Sequence, residues 1–170
     1  DRDGALWVGT GGGGLSHFKN GVWTSYTTKN GLSHNVVYTL LQDREGAVWV
    51  GTNGGGLNRL KDGKITAVTT KEGLFNDVVY CVLEDDDGYM WASCNKGVYR
   101  MKKRDVDDVA DGKLPRFSCQ NFGVADGMMS VECNGGTNPA GWKAADGRLW
   151  FPTVKGAVVA DPRTVQPNPL

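Results

Sequence analysis

The chain has 170 residues, with 19 Lys+Arg against 19 Asp+Glu and a formal net charge of zero. That length suits one domain with a real core, and no apolar run approaches the ~20 residues of a membrane-spanning helix. The charge balance supplies neither the basic footprint that a nucleic-acid backbone requires nor the polybasic anchor that an anionic lipid surface requires, so nucleic acid and direct membrane contact are not expected.

Glycine, at 25 residues, is about double its usual ~7 %. It follows no collagen period and is interleaved with Trp, Val and Leu, a composition of short strands and tight turns. A signature of acidic-Gly-x-apolar-Trp occurs four times, at Asp3-Gly4, Glu45-Gly46, Asp87-Gly88 and Asp146-Gly147, each leading to Trp7, Trp49, Trp91 or Trp150. The tryptophans are 42, 42 and 59 residues apart, and the 17 extra residues of the last interval divide into 12 before Gly127 and 5 between Gly127 and Gly147. A period of ~40 to 45 residues with a turn-then-Trp signature and no helical periodicity indicates β-propeller blades of four antiparallel strands, an all-β fold.

In chain order, the first blade supplies its second, third and fourth strands over Ala5 to Thr10, Leu15 to Phe18 and Val22 to Tyr26. The next is complete: Val36 to Gln42, Ala47 to Thr52, Leu57 to Leu60 and Lys64 to Val68. The third has Val78 to Glu84, Tyr89 to Cys94 and Gly97 to Met101, then an insertion over Lys102 to Pro115 with Val106, Val109 and Ala110 at helical spacing, then a last strand near Arg116 to Phe122. The fourth supplies strands near Val131 to Thr137, Arg148 to Thr153 and Ala157 to Ala160, followed by an exit over 161–170. Fourteen strands make about three and a half blades over residues 1–170. Closure of these ends on each other would give a six-stranded blade or leave both edges open, so the expectation is a stretch of a larger propeller, with a closed four-bladed ring as the alternative.

The phrases Asp43-Arg44-Glu45-Gly46-Ala47-Val48-Trp49-Val50-Gly51-Thr52, Gly55-Gly56-Leu57 and Asn30-Gly31-Leu32-Ser33-His34-Asn35-Val36-Val37 resemble the two-component regulator propeller repeat. The fourth unit, from Asp126-Gly127-Met128 through Glu132-Cys133-Asn134-Gly135-Gly136 to Asp161-Pro162, Pro167 and Pro169, resembles the last blade of such propellers. Departures are Cys94 in place of the threonines at 10, 52 and 153, Pro152 in place of the glycines at 9 and 51, and Cys133 where an aromatic is common. The resemblance implies the extracytoplasmic sensor of a histidine kinase or hybrid two-component protein, in some members a sensor of carbohydrate breakdown products. It further implies a downstream β-sandwich, a membrane helix and a kinase as partner domains, a homodimer of the parent, and a periplasmic location within an inner-membrane protein.

No catalytic set emerges from the residues. His17 and His34 have no third histidine, the serines lie in no nucleophile elbow, and the glycine runs at 11–14 and 54–56 join strand to strand rather than opening a helix that could hold a phosphate. Asp85-Asp86-Asp87-Gly88 lacks the spacing of a calcium loop and reads as a turn. No metal or cofactor is expected. The four tryptophans read as core, one per blade, and Gly4, Gly46, Gly88 and Gly147 as turn formers. The cysteines read as small buried hydrophobes, with Cys119 and Cys133 as the pair to test for a bridge.

Propeller topology gathers the loops before each first strand, and those between second and third strands, on one face around the channel. Candidate ligand-binding residues there are His34, Asn35, Asn53, Phe75, Asn76, Asp77, Asn95, Lys96, Glu132, Asn134 and Lys155, a polar set beside one aromatic that suits a small-molecule or oligosaccharide ligand. Turn formation alone is the competing explanation for each. The function expected is non-catalytic ligand sensing. The alternatives are a propeller lyase or glycosidase, for which the face offers Glu132, Asp77 and Lys155, and an interaction scaffold or a sensor wired to another output.

Overall fold

Three of the four sheets carry a device in which an aspartate six residues before a tryptophan joins the turn to that ring. Asp43 accepts the N–H of Ala47 at 2.9 Å and the indole N–H of Trp49 at 2.7 Å. Asp85 accepts from the backbone of Asp87 and Tyr89, both at 2.9 Å, and from the Trp91 indole at 2.7 Å. Asp1 accepts from Asp3, Ala5 and the Trp7 indole at 3.0, 2.8 and 2.8 Å. The turn closes through Gly4, Gly46, Gly88 and Gly147 at φ of 76°, 92°, 84° and 87°, a left-handed conformation that a side chain resists. In the fourth repeat the position of this aspartate is taken by Ala144.

The computed structural model describes residues 1–165; Pro167 and Pro169 of the expected exit lie outside the described residues. Among these, fourteen strands form four antiparallel sheets. The first holds β1 (Leu6–Gly9), β2 (Leu15–Lys19) and β3 (Val22–Tyr26). The second holds β4 (Val37–Gln42), β5 (Val48–Thr52), β6 (Leu57–Lys61) and β7 (Lys64–Val68). The third holds β8 (Cys81–Glu84), β9 (Tyr89–Cys94), β10 (Gly97–Lys102) and, after helix α1 (Lys103–Ala110), β11 (Gln120–Phe122). The fourth holds β12 (Trp142–Lys143), β13 (Leu149–Thr153) and β14 (Gly156–Ala160). Strands follow one another across each sheet in chain order, the up-and-down connection of a propeller blade.

One core cluster fills each gap between successive sheets. Trp7, Leu15 and Tyr26 meet Val48, Val50, Leu60 and Ile65. Trp49, Leu57 and Val68 meet Val82, Met90 and Met101, with Val106, Val109 and Ala110 of α1 closing the bottom. Trp91 and Val98 meet Ala140, Leu149 and Phe151. Trp49 and Trp91 are 0 % and 1 % exposed; at ~25 cal/mol/Å² over ~150 to 250 Å² each, such a ring contributes several kcal/mol before entropy. The expectation of a core tryptophan in every blade holds for these two. Trp7 is half-buried, stacked on His17 with ring centres 4.0 Å apart, and Trp150 is 38 % exposed. The Trp150 difference comes from position in the stack of sheets: the Trp-bearing face of a sheet is covered by the next sheet, and no described sheet follows the fourth.

The two end faces are therefore open, which is the arrangement of a propeller segment rather than a closed four-bladed ring. On the first sheet the cross-strand row Leu6, Phe18, Trp23 is turned outward, with Leu6 54 % and Trp23 57 % exposed. On the fourth the row is Trp142, Trp150, Val159, with Trp142 64 % and Val159 42 % exposed.

Ionic contacts latch the lower side. Arg2 donates to the Arg44 carbonyl at 2.6 Å, and Asp86 accepts from Arg44 at 2.5 Å and from Lys143 of β12 at 2.8 Å, a chain that joins all four sheets. The insertion expected over Lys102 to Pro115 does contain a helix, and α1 is bound to the second sheet by two cations. Arg59 reaches Asp107 at 2.7 Å and also Asp111, while Lys103 reaches Glu45, Asp107 and Asp43 at 2.5, 2.7 and 3.2 Å.

Three strand placements are corrected. The first strand of the third blade, expected from Val78, starts at Cys81, with Val78 making a single bridge to Asn53. The last strand of that blade, expected from Arg116, is confined to Gln120–Phe122, because Phe117 instead donates its N–H to the Glu72 carbonyl at 2.9 Å. The first strand of the fourth blade, expected near Val131 to Thr137, is split: Cys133 bridges Thr153, and pairing resumes only at Trp142 opposite Trp150. The extra residues of this repeat are thus looped out of the innermost strand.

Candidate functional site at the channel face

The loops of the channel face are ordered by side chains that the sequence offers as ligand groups. Asp77 holds its own loop, accepting from the Thr70 N–H at 2.7 Å and the Thr70 hydroxyl at 3.0 Å, while its carbonyl accepts from Gly54 and Gly56 at 3.1 and 2.8 Å. Asn35 repeats the arrangement one blade earlier, accepting from Thr28 at 2.9 Å and, through its carbonyl, from Gly14 at 2.9 Å. His34 Nδ1 accepts the Val36 N–H at 3.0 Å and Asn76 Oδ1 the Val78 N–H at 2.9 Å, two equivalent side-chain turns. Phe75 packs toward Tyr99, ring centres 5.4 Å apart, against the middle core cluster. For these five residues the turn or core role accounts for the side chain.

The remaining candidates are exposed: Asn53, Asn95, Lys96, Glu132, Asn134 and Lys155. Asn95 is tied to the preceding loop, its Oδ1 accepting from Asn76 at 3.2 Å. On the fourth blade Glu132 and Asn134 flank the Lys155 loop: the Glu132 carbonyl accepts the Val154 N–H at 3.1 Å, and Asn134 donates from its backbone to Pro152 at 2.9 Å and from Nδ2 to Thr153 at 3.4 Å. The structure thus brings together Asn76 with Asn95 on one blade edge and Glu132, Asn134 and Lys155 on another.

Two further residues, missed by sequence reasoning, form an aromatic pair beside the Gly135 loop of the fourth blade. Tyr38 and Tyr80 meet edge to face with ring centres 5.4 Å apart. Tyr38 sits where the register of β4 against β5 shifts between Val37 and Thr39, the kind of irregularity that re-aims a side chain. The signal was present as the repeated triplet Val36-Val37-Tyr38 and Val78-Val79-Tyr80, read only as strand. The looped-out segment of the fourth blade comes up against this pair: a Cβ added at Gly135 would lie 2.0 Å from the Tyr80 ring, so only glycine fits there. Burial, and to a lesser extent neighbouring Tyr38, raises the Tyr80 hydroxyl pKa and keeps it a neutral donor.

Tyr38 also lines a cavity of about 790 Å³, together with Trp7 to Gly11, the rest of Val36 to Leu41, Cys81 to Leu83 and Gly136 to Trp142. No carboxylate, amine, guanidinium or imidazole lines it; its side-chain polar groups are the hydroxyls of Thr10, Tyr38, Thr39 and Thr137, the Asn138 amide, the Cys81 thiol and the indole N–H groups of Trp7 and Trp142. Part of this space runs along the inner edge of β1, which pairs only with β2. The four cysteines are free thiols; Cys119 and Cys133 belong to different core clusters, and burial pushes the Cys81, Cys119 and Cys133 thiols up to about 12. The carboxylate of Asp85 is taken up by its three N–H donors, consistent with a turn at 85–88. Among the described residues, no helix is long and apolar enough to cross a membrane.

The sheets and their connections define a β-propeller segment. Residues 31–54 and 73–96 match the two component regulator propeller model, so the chain carries repeats of that family. Among solved structures, the fold is similar to the extracellular domain of a putative hybrid two component system from B. thetaiotaomicron, at 21 % identity and a TM-score of 0.77 over 98 % of this chain and 23 % of that one. A second such extracellular domain from the same organism matches at 22 % identity and a TM-score of 0.66 over 89 % of this chain and 19 % of that one. Virginiamycin B lyase from Staphylococcus aureus has a more distant likeness, at 19 % identity and a TM-score of 0.58 over 93 % of this chain and 52 % of that one. The chain spans about a quarter of the first of these. A search of curated proteins found no match.

Proposed function

We propose that this chain is a non-catalytic, ligand-sensing segment of the extracytoplasmic propeller of a two-component sensor protein, and that it meets a small-molecule or oligosaccharide ligand on its channel face. The observation that carries the reading is Tyr38, paired edge to face with Tyr80, on the wall of a cavity lined by hydroxyl and amide groups. Aromatic faces with neutral donors and acceptors suit the alternating apolar faces and hydroxyls of a sugar ring. The kinship of the repeat and the extracellular location of its structural neighbours support the sensor assignment. In this account a β-sandwich and a kinase lie downstream in the parent, which acts as a homodimer in the inner membrane with this segment on the periplasmic side. Ligand then acts through differential affinity for two arrangements of the propeller relative to those domains.

A propeller lyase or glycosidase is the second reading, favoured only by the fold likeness to virginiamycin B lyase. Two-carboxylate glycoside chemistry needs a facing pair of acids. Asp77 is engaged by Thr70 and the loop glycines, which leaves exposed Glu132 without it as a counterpart. The reading frame around this chain separates the two. A β-sandwich, a ~20-residue apolar helix and a histidine-kinase core after Leu170 are expected; a lyase or hydrolase architecture in their place would overturn the sensor reading.

A further inference from the structure

Successive sheets frame three equivalent clefts on the lower side, and two of them are filled by segments of the chain itself. Strand pairing puts His17, Arg59 and Arg100 at one register position, opposite Trp7, Trp49 and Trp91. Asp3, Glu45 and Asp87 also share a position, four residues before those tryptophans. In the second gap α1 partners both: Lys103 reaches Glu45 at 2.5 Å, and Arg59 reaches Asp107 at 2.7 Å and also Asp111. In the third gap the segment after β14 does so: the Val165 carbonyl accepts from Arg100 at 3.2 Å, and Arg163 lies within electrostatic reach of Asp87. Between the first and second sheets the same position is an open cleft of about 320 Å³, lined by Asp3, Trp7, His17, Lys19, Tyr26 and Glu45 among others. Both framing sheets are described, and His17 on β2 has β1 and β3 on either side. The connection that becomes α1 in the third sheet is here a tight turn at Asp62-Gly63 between β6 and β7. The cleft is thus open by the chain's own design. Arg59, Arg100 and Val68 are 5 %, 4 % and 0 % exposed, whereas their equivalents His17 and Tyr26 are only half-buried.

We infer that this first cleft docks a short helix of a partner protein with the chemistry of α1, a lysine followed four and eight residues on by carboxylates. The lysine goes to Asp3, which is exposed and in loose contact with Lys19 at 3.4 Å. The carboxylates go to His17, the equivalent of Arg59, and apolar residues of the helix cover Trp7 and Tyr26 as Val106 and Val109 cover the second gap. This is recognition of an amphipathic helix in a groove, with the chain's own α1 as its template. The occupant is a partner's segment because the chain's own connection at this position is the two-residue turn.

The test uses the extracytoplasmic region of the parent that contains this chain, and a fluorescein-labelled peptide with the sequence of residues 102–113, followed by anisotropy. Saturable 1:1 binding is expected. Asp3→Lys, at an exposed position, is expected to weaken it roughly fivefold or more, and His17→Arg to strengthen it about two- to fivefold. Asparagine at the peptide positions of Asp107 and Asp111 is expected to abolish the gain from His17→Arg, the coupling that direct pairing requires. Should Asp3→Lys unfold the region, as judged by circular dichroism, the milder Asp3→Asn gives the same reading with a smaller change. A peptide that does not bind would overturn the inference. Binding indifferent to both Asp3 and His17 variants would place the peptide in the cleft of α1 itself, and would overturn it equally.

Discussion

The Asp85 carboxylate accepts the Trp91 indole N–H at 2.7 Å from a site that is itself 1 % exposed, so a turn and the strand it opens are joined inside the core rather than at the surface. Removing the carboxylate leaves the indole N–H and two backbone N–H groups of that turn without their acceptor. Asp85→Ala is expected to cost about 3 kcal/mol, the range for stranding buried donors, as a lower urea midpoint. Asp1→Ala, whose partner Trp7 is only half-buried, is expected to cost less than about 1 kcal/mol. The reverse change is informative in the fourth blade. Ala144 accompanies the same backbone bond, its N–H donating to the Arg148 carbonyl at 2.8 Å, so Ala144→Asp is expected to stabilise by up to about 1 kcal/mol.

The attachment of α1 depends on cations held under the second sheet. Arg59 is 5 % exposed, and truncation to Ala leaves Asp107 and Asp111 without it; a loss of about 2 to 4 kcal/mol is expected, with faster proteolysis across residues 103–113. The same network sets the acid response. A hydrogen bond from Lys103 lowers the Glu45 pKa, and bonds from Lys113 and Arg59 lower that of Asp111. Carboxyls lowered in the folded state contribute stability above their ordinary range, and that contribution is lost as pH falls through the folded values. Glu84 opposes this, since burial raises its pKa and protonation relieves it. With more groups lowered than raised, the urea midpoint is expected to drop as the pH falls below about 5; a flat or rising profile would contradict the network's role.

Thiol titration tests the cysteine assignment. Under denaturing, non-reducing conditions four thiols are expected; a Cys119–Cys133 bridge would give two. In the native chain reaction with an aromatic disulfide reagent at pH 8 is expected to be slow, because burial holds Cys81, Cys119 and Cys133 near about 12. A thiol raised in the folded state and ionising near ~8.5 when unfolded contributes stability below ~8.5 that declines as pH climbs toward the folded value. The chain is expected to melt progressively lower above about pH 9.

Much of the architecture is legible from punctuation. The acidic-Gly turns and the Trp period place the sheets because a tight turn demands those residues and the core demands that ring. Where an insertion interrupts the period, the placement slips: the innermost strand of the fourth blade moves to Trp142–Lys143, since a loop within a strand has the same composition as a turn between strands. Burial of Trp150 was not legible either, because it depends on a neighbouring sheet rather than on its own segment. At the channel face, polarity singled out Asp77 and Asn35, yet the same hydrogen-bonding capacity is what ties loops together, and the structure shows them so used. Tyr38 escaped because a tyrosine within an apolar strand reads as core until a register shift re-aims it, and Tyr80 because the apolar pattern placed it within a strand that begins one residue later.

The most direct test of the sensing account is calorimetric titration of the extracytoplasmic region containing this chain with a panel of neutral oligosaccharides, each sample being checked afterwards by mass spectrometry. Saturable binding of at least one member is expected, weakened roughly tenfold or more by Tyr80→Ala, with the sugar recovered unchanged. Consumption of the sugar, or binding that is indifferent to Tyr80→Ala and Tyr38→Ala, would contradict a non-catalytic sensor that meets its ligand at the channel face.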